Sequence, residues 1–426
     1  MTEPATHLVQ IEKPVYGGAS LARIEGKAVF VPLTLPGEEA RIRIVEEKRG
    51  YATAEVAEIV SPSAERIAPS CRHFGACGGC NYQHADYAAQ LEFKKAILHE
   101  TIERAGVSLP VEVEVLSGEP WGYRNRIRLA FDTVRRAGYR GRRSHAVIPI
   151  EECPIAAPIL IKAALALHEA LRATAPALRP KELSLFCNAD ESALLASIAL
   201  AHPARVRMDD LGLAWQEQVP ALVGAELVVD GRDGQQPRVL ARWGTSSLAY
   251  RAAGSDYRVD QGSFFQVNRW LVDALVNRVV AKHRGALAWD LYAGVGLFAR
   301  KLAAAFERVI AIESAPASMG ALRENLRDVR AEAIQSQSLA FLRRKNGMSP
   351  DLIVLDPPRM GLGPETTAQL ARIGAPAIVY VACDPATLAR DLRALTGSSY
   401  VIQSIALIDL FPQTFHLETV VELRRA

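Results

Sequence analysis

Short apolar runs that alternate with helical segments fill the C-terminal part of the chain and restrict its fold more than any other feature. From Gln261 onward such runs occur at 287–291, 308–313, 351–356 and 377–382. Each run is continuous, which is typical of a strand buried on both faces of a parallel sheet. The pattern predicts a doubly wound α/β domain that binds its ligand at the carboxyl ends of the strands.

The remaining sequence predicts two smaller units. The N-terminal stretch has short alternating runs separated by turn signals such as Leu35-Pro-Gly, which favours an OB-like β-barrel of five strands. A middle stretch mixes strand-like pieces with an alanine-rich helix around 157–172, which favours an α+β domain. The predicted division is a barrel at 1–62, a cysteine-rich loop at 63–84 that packs with a central domain at 111–258, and a helix at 85–110 that joins the α/β domain at 259–426.

Length and composition narrow the class of protein. A chain of 426 residues is long enough for two to four domains, and 49% apolar residues is a globular value. No apolar run is long enough to span a bilayer, and the N-terminus lacks the pattern of a signal peptide. We therefore expect a soluble, cytoplasmic and monomeric protein without a membrane partner.

Arginines are concentrated in one short segment, although the net charge of the chain is only +3. Tyr123, Phe131 and Tyr139 are interleaved with them, and Asp132 is the only acid among them. Arginine forks match phosphate oxygens and aromatic rings stack on unpaired bases, so the segment predicts an RNA-binding surface. A solvated, arginine-rich hairpin is the alternative. The arginines are Arg124, Arg126, Arg128, Arg135, Arg136, Arg140, Arg142 and Arg143.

A glycine turn after the first strand of the α/β domain predicts a cofactor site. Gly294 and Gly296 allow the backbone to approach a ligand, and Glu313 ends the next strand, where an acid can accept hydrogen bonds from ribose hydroxyls. Ala299 stands where the dinucleotide fingerprint has its third glycine, which favours S-adenosylmethionine over NAD. Alternatively, Glu313 is only a solvated residue at a strand end.

Two further strands end in groups that suit methyl transfer to carbon 5 of uracil. Cys383 precedes a helix whose N-terminus favours a thiolate, although a free cysteine is often only a small buried apolar residue. A thiolate that adds to carbon 6 activates carbon 5, and a base must then remove the carbon-5 proton. Glu418 and His416 are both candidates for that base, and the residues alone leave the choice open. Asp356 is placed to accept the N3 hydrogen of uracil, which cytosine lacks.

Four cysteines have the spacing of a metal site. Cys71, Cys77 and Cys80 lie in one glycine-rich loop, Cys153 precedes a proline far downstream, and Cys187 is expected in the core. A disulfide is improbable in a cytosolic protein. Zinc and a 4Fe–4S cluster both accept four cysteines, and the Cys-Pro pair leans modestly toward iron–sulfur.

Five motifs in order resemble those of the bacterial RNA uridine-C5 methyltransferases, and residues 1–62 resemble the TRAM module of the same family. The resemblance implies a Rossmann-like class I methyltransferase domain. It also implies that Cys383 is the nucleophile, that Glu418 rather than His416 is the base, and that Phe264 faces the target base. Other implied or predicted site residues are Gln266, Tyr292, Gly294, Glu313 and Asp356 for the cofactor, and Asp356, Arg124 and Arg126 for the substrate. The motifs are Gln261-Gly-Ser-Phe-Phe-Gln-Val-Asn268, Asp290-Leu-Tyr-Ala-Gly-Val-Gly, Asp356-Pro-Pro-Arg, Cys383-Asp-Pro-Ala-Thr-Leu-Ala-Arg-Asp and Phe411-Pro-Gln-Thr with Glu418-Thr.

The sequence departs from the family pattern at Asp384, where asparagine is usual, and at Leu297, where a polar residue is usual. A carboxylate beside Cys383 opposes a thiolate unless it points away. Ribosomal-RNA members of the family carry a 4Fe–4S cluster on this cysteine arrangement, which favours the cluster over zinc and large-subunit ribosomal RNA over transfer RNA. A catalytically silent RNA-binding protein and a radical enzyme are further alternatives. The first conflicts with the set of catalytic groups, and the second with four rather than three cysteine ligands.

Overall fold

The computed structural model describes residues 6–229, 237–344 and 347–426. In these ranges the chain forms a closed barrel, a central sheet covered by helices, a hairpin and a large C-terminal sheet. This confirms the predicted doubly wound α/β domain, with an N-terminal barrel and a central α+β domain. None of the helices in these ranges combines the length and the apolar composition that crossing a bilayer requires.

The N-terminal barrel consists of β1 (His7–Val15), β2 (Ala19–Ile24), β3 (Lys27–Pro32), β4 (Glu39–Glu47) and β5 (Tyr51–Ser61). It closes in the order β1-β2-β3-β5-β4. Successive side chains of a strand point to opposite faces, so Ile42 fills the barrel while Arg41 and Arg43 face solvent. This alternation is the pattern from which the sequence predicts the barrel.

Helix α1 (Tyr87–Arg104) links the cysteine-rich loop to the C-terminal domain and is followed by strand β6 (Val113–Leu116). It begins at a carboxylate cap, because Asp86 accepts a hydrogen bond of 2.8 Å from the Ala89 amide. Its buried face, including Leu98 and Ile102, belongs to the core on one side of the C-terminal sheet. The helix predicted from the sequence is therefore confirmed, and its packing positions the residues on it close to the C-terminal motifs.

The central sheet is made of β7 (Arg126–Phe131), β8 (Ala137–Arg140), β9 (Val147–Pro149), β10 (Pro180–Cys187), β11 (Leu194–Leu200), β12 (Leu222–Val229) and β13 (Arg238–Gly244). Their order is β13-β12-β11-β10-β7-β8-β9. Helices α2 (Pro158–Thr174) and α3 (Met208–Gln218) cover one face, and Cys187 lies fully buried beneath them, as expected.

The C-terminal domain carries the large sheet. Residues 309–312 show that its strands are buried on both faces, since Val309 and Ala311 enter one core while Ile310 and Ile312 enter the other. Its elements, with the preceding hairpin, are β14 (Ser247–Ala252), β15 (Ser255–Asp260), α4 (Val272–Val280), β16 (Gly285–Leu291), α5 (Leu297–Leu302), β17 (Phe306–Glu313), α6 (Pro316–Leu326), β18 (Ala331–Gln335), α7 (Ser338–Arg344), β19 (Leu352–Leu355), α8 (Gly363–Ile373), β20 (Ala377–Ala382), α9 (Pro385–Thr396), β21 (Tyr400–Ile408) and β22 (Thr419–Arg425). The sheet order is β18-β17-β16-β19-β20-β22-β21-β6.

Packing departs from the predicted domain boundaries at both ends of the segment 111–258. Strand β6 pairs in parallel with β21 and so forms the edge of the C-terminal sheet. Hairpin β14–β15 contributes Tyr250, Tyr257 and Val259 to the core on the other side of that sheet. The reason is long-range pairing and burial, which the local pattern of these short strands does not reveal.

Candidate active site

Polar groups follow four neighbouring parallel strands at one edge of the sheet. Leu291 on β16 pairs with Leu355 on β19, and Leu355 pairs with Tyr380 on β20. This register brings the residues that follow β16, β19 and β20 to a common edge, and the Asp356 amide donates to the Leu291 carbonyl at 3.4 Å. Glu313 ends β17 at the same edge. The predicted cofactor and catalytic motifs are therefore adjacent.

The turn after β16 is open on the side where a ligand would approach. Gly294 has φ +56° and Gly296 has φ +88°, conformations that glycine adopts without strain. A Cβ on Gly296 would lie 2.9 Å from the Leu322 side chain, whereas a Cβ on Gly294 would meet nothing within 4 Å. One glycine is thus required by packing, and the other leaves free space above the backbone.

Asp290 is a buried carboxylate that sequence reasoning did not select, although it opens the cofactor motif. Its Oδ2 accepts a 2.8 Å hydrogen bond from the Ala299 amide, while Oδ1 has no protein partner in the described residues. Burial, together with the charges of Asp356 and Glu313, raises the pKa of Asp290 to about 8. An unpaired buried oxygen beside an open glycine turn fits a polar ligand such as S-adenosylmethionine.

Glu313 is bound to the glycine turn and is not simply a solvated strand end. Its Oε2 accepts from the Gly294 amide at 2.8 Å and its Oε1 from the Ala315 amide at 2.6 Å. Each carboxylate oxygen can accept a second hydrogen bond. The side chain therefore retains the capacity to accept from a hydroxyl while it fixes the turn.

Three further predicted site residues, Gln266, Tyr292 and Phe264, differ in their contacts and burial. Gln266 is buried, and its amide donates to Asp356 Oδ2 at 3.4 Å. Tyr292 has a positive φ of 68°, and its hydroxyl hydrogen-bonds with Ser338. Phe264 is 61% exposed, so its aromatic ring is available for stacking.

Cys383 lies among carboxylates. Burial raises the pKa of its thiol to about 12, the carboxylates of Glu418 and Asp356 add to the shift, and Arg359 opposes it. The predicted gain from the helix N-terminus is not realised, because Asp384 Oδ1 already accepts from the Ala386 amide at 3.1 Å and from the Thr387 amide at 2.9 Å. The raised pKa favours the protonated thiol over the thiolate at neutral pH.

The two candidate bases differ in environment. Burial raises the pKa of Glu418 well above its usual range, and Asp356 adds to the shift. Burial lowers the pKa of His416 to about 4, and the Arg359 charge lowers it further. Arg359 Nη2 is 3.4 Å from His416 Nδ1, so this histidine is a neutral neighbour of a guanidinium. Arg359, which the sequence-based site omitted, stands in the quoted Asp356-Pro-Pro-Arg motif.

The arginine segment divides into exposed and enclosed side chains. Arg126 stacks its guanidinium 4.3 Å from the centre of the Phe186 ring, and burial lowers its pKa to about 10. Arg124 is half-buried, and its Nε has no protein partner in the described residues. Other members line a cleft of about 710 Å³ together with Gly17 and Gly18 of the barrel: Arg128, Arg140, Arg142 and Arg143.

The four cysteines predicted to bind a metal line one cavity between the cysteine loop and the central sheet: Cys71, Cys77, Cys80 and Cys153, with Arg124 and Tyr139. Burial raises the pKa of the Cys80 thiol to about 12, and those of Cys77 and Cys153 are also raised. Within the part of the chain that the structure describes, no group of three or more His, Cys, Asp or Glu side chains is arranged to hold a metal ion.

Comparisons with known proteins agree with this geometry. A family model for tRNA (uracil-5-)-methyltransferases matches residues 86–426, and a TRAM domain model matches residues 3–57. An uncharacterised RNA methyltransferase of Streptomyces avermitilis is 34% identical, over 98% of each chain. The 23S rRNA (uracil(1939)-C(5))-methyltransferase RlmD of Klebsiella pneumoniae is 33% identical, over 96% of this chain and 93% of that one.

A solved structure shares nearly the whole fold. It is the Pyrococcus abyssi tRNA (uracil-54, C5)-methyltransferase in complex with S-adenosyl-L-homocysteine. The TM-score is 0.79 at 25% identity, with 98% of this chain and 100% of the solved chain covered. Barrel, central domain and catalytic domain are thus matched together.

Proposed function

The chain belongs to the tRNA (uracil-5-)-methyltransferase family, and on that premise we propose that it methylates carbon 5 of a uridine in ribosomal RNA through a covalent adduct with Cys383. The convergence of Cys383, Glu418 and Asp356 at the strand ends supports this proposal. As a member of that family it is an RNA uracil-C5 methyltransferase that depends on S-adenosylmethionine.

The proposed cofactor site is the edge formed by β16, β17 and β19. Gly294 leaves space for the ligand, Glu313 accepts from the ribose, and Gln266, Tyr292 and Asp356 complete the wall. S-adenosylmethionine supplies an electrophilic methyl group there. The unpaired Oδ1 of Asp290 adds an acceptor at the base of the site.

The proposed chemistry begins with transfer of the Cys383 thiol proton to water and formation of a bond between the sulfur and carbon 6 of the target uracil. The electron pair of the C5–C6 double bond moves into the ring carbonyl as an enolate, which then makes carbon 5 nucleophilic toward the methyl group. Arg359 favours this step, because its charge lowers the pKa of Cys383. Asp356, when ionised, accepts the N3 hydrogen of uracil.

Glu418 is the proposed base for the last step. It removes the proton from carbon 5, the electron pair re-forms the C5–C6 double bond, and the Cys383 sulfur leaves carbon 6. Only the ionised carboxylate can accept that proton. Burial raises its pKa, which makes the ionised form a stronger proton acceptor and lowers the fraction that is ionised at a given pH.

RNA is proposed to bind along the cleft between the barrel, residues 1–62, and the central domain. The exposed arginines of the cleft suit phosphates, and Phe264 offers a stacking surface to the target base or its neighbour. We favour ribosomal over transfer RNA, because near-full-length relatives bear 23S rRNA names. Incubating the protein with both RNA classes and tritiated S-adenosylmethionine separates the two.

A 4Fe–4S cluster on Cys71, Cys77, Cys80 and Cys153 is part of the proposal, with zinc as the alternative. The Arg124 guanidinium beside these thiols would offset the negative charge of a four-thiolate group. Its proposed role is to fix the loop and the RNA surface. Anaerobic purification followed by iron, sulfide and zinc analysis distinguishes the alternatives, and Cys153→Ser should reduce the metal content whichever is bound.

The covalent step is tested with RNA that contains 5-fluorouridine. Fluorine on carbon 5 cannot be removed as a proton can, so a methylated protein–RNA adduct should accumulate and survive denaturing electrophoresis. Cys383→Ala should form no adduct, whereas the control Cys187→Ala, which alters a core cysteine, should form it. An adduct with Cys383→Ala would reassign the nucleophile.

A further inference from the structure

Gln413 occupies an unusual position in the loop that leads to Glu418. Its φ is +68°, in the left-handed region that non-glycine residues rarely adopt, and its side chain is only 3% exposed. Such a conformation is strained for a residue with a Cβ and persists only where the surroundings hold it. Neighbouring groups must therefore hold the backbone of Gln413 in this conformation.

The cysteine-rich loop holds the backbone of Gln413. Its carbonyl accepts two hydrogen bonds, from the Asn81 amide at 2.9 Å and from the Tyr82 amide at 3.0 Å. Asn81 directly follows Cys80, so the donors lie next to a proposed metal ligand. The Asn81 side chain extends the contact, because its Oδ1 accepts from the Phe415 amide at 3.4 Å.

Helix α1 holds the other side of Gln413. Gln90 Oε1 accepts from the Gln413 amide, and Gln90 Nε2 donates to Gln413 Oε1, both at 3.0 Å. The two glutamine side chains are buried. The backbone amide, the backbone carbonyl and the Oε1 atom of Gln413 thus each have a protein partner. These partners lie on α1 and on the cysteine-rich loop, which are both distant from Gln413 in sequence.

Residues on either side of Gln413 are also held by hydrogen bonds, up to Glu418, the proposed catalytic base. The Tyr123 hydroxyl donates to the Pro412 carbonyl at 3.0 Å, and the Ile408 amide donates to the Glu418 carbonyl at 2.8 Å. The two ends of the loop are therefore joined by the hydrogen bond between Ile408 and Glu418, and its middle is held through Gln413. A shift at Gln413 would be transmitted to the Glu418 carboxylate.

We propose that Gln413 is a positioning residue for Glu418, which ties the proton-removing carboxylate to the cysteine-rich loop and helix α1. This rests on the proposed function. The consequence is specific to one step: loosening Gln413 slows removal of the carbon-5 proton and leaves addition of Cys383 and methyl transfer unaffected.

Two substrates separate these steps. Turnover of uridine RNA needs proton removal, whereas formation of the 5-fluorouridine adduct does not. In Gln413→Met, which keeps side-chain bulk and loses the amide, uridine turnover should fall about 10-fold, since small misplacement of a general base is costly. The rate of 5-fluorouridine adduct formation should stay within about twofold, and methylated adduct should accumulate on uridine RNA. Gln403→Met, at an exposed position of β21, is the matched control and should leave both rates unchanged.

An equal fall in both rates for Gln413→Met would overturn the proposal. If that variant folds poorly, Gln413→Asn serves instead, because asparagine tolerates a positive φ and its shorter amide cannot reproduce the Gln90 bonds; the same split between substrates is expected. Absence of the 5-fluorouridine adduct in the unmodified protein would instead defeat the proposed function, and the positioning role with it.

Discussion

The Lys94 ammonium lies 2.6 Å from Asp409 Oδ1, and both side chains are completely buried. Lys94 also donates to the Phe411 carbonyl at 2.9 Å, and the Tyr87 hydroxyl donates to Asp409 Oδ2 at 2.9 Å. A residue of α1 and the start of the loop that leads to Glu418 are thus joined by a satisfied buried ion pair. Burial alone lowers the pKa of Lys94, and Asp409 opposes that shift.

Removing one member of this pair should be costly. Lys94→Met leaves the Asp409 carboxylate buried without its cation, which should destabilise the protein by about 3–5 kcal/mol. The double variant Lys94→Met/Asp409→Leu should recover a large part of that loss, because no buried charge is then left unpaired. Urea unfolding of the two variants and the unmodified protein measures both effects. A loss below about 1 kcal/mol in the single variant would contradict this account.

Asp384 offers a direct test of how the site controls its nucleophile. Its charge raises the pKa of Cys383, while its Oδ1 caps α9. Asp384→Asn keeps a capping oxygen and removes the charge, so the pKa of Cys383 should fall and the thiolate should form at lower pH. The rate of 5-fluorouridine adduct formation near neutral pH should rise about two- to fivefold.

The pH profile of that rate distinguishes an effect on the thiol from a general one. For Asp384→Asn the rise should move to lower pH with an unchanged plateau. Asp256→Asn, in the distant hairpin where the carboxylate pairs with Arg251 at 3.1 Å, is the matched control and should leave the profile unchanged. A lower plateau without a shift in Asp384→Asn would show that the cap, not the charge, matters.

The fold was predictable where local pattern and burial coincide. Val309 and Ile310 enter cores on opposite faces of β17, so residues 309–312 form a continuous apolar run that is recognisable without knowledge of its neighbours. Strand β6 was not recognised as part of the same sheet, because four residues carry little pattern and their partner β21 lies almost 300 residues away in sequence. Pairing over that distance depends on the assembled core.

The sequence predicted which strand-end residues lie close together at the candidate site. It did not predict how burial and neighbouring charges affect the pKa of the Cys383 thiol. Cys383, Glu418 and Asp356 stand in recognisable motifs at strand ends, and the structure places them together. The expected stabilisation of a thiolate failed, because capping by Asp384 uses the amides at the start of α9 and because the neighbouring carboxylates depend on tertiary packing. The burial of Arg126 against Phe186 depends on the central sheet and has no local signal.

Asp356 should make base selection depend on pH. Burial raises its pKa to about 7, so the carboxyl is mostly neutral at pH 6 and mostly ionised at pH 8. The ionised form accepts the N3 hydrogen of uracil, whereas the neutral form can donate to N3 of cytosine. The ratio of adduct formed on 5-fluorouridine RNA to that on 5-fluorocytidine RNA follows the ratio of ionised to neutral Asp356, so it should rise about 100-fold from pH 6 to pH 8.

The same ratio in Asp356→Asn should be low and independent of pH, because an amide does not titrate in this range. Gln266 donates to Asp356, so Gln266→Leu serves as a second variant that retains the titration while altering its midpoint. A ratio that is flat with pH in the unmodified protein would remove Asp356 from base selection.

Salt dependence of RNA binding tests the cleft beside the barrel. Arg140 and Arg143 are exposed and line the cleft, so each contact they make with a phosphate should add about 0.7–0.9 to the slope of log affinity against log salt concentration. Arg140→Ala and Arg143→Ala should each weaken binding and reduce the magnitude of the slope by about 1. The matched control is Arg172→Ala, an exposed arginine on α2 outside the cleft, and it should change neither quantity.

Filter binding at four salt concentrations measures the slope. If all three variants behave alike, the cleft is a solvated arginine surface, because a bound phosphate would make the cleft positions differ from the one on α2.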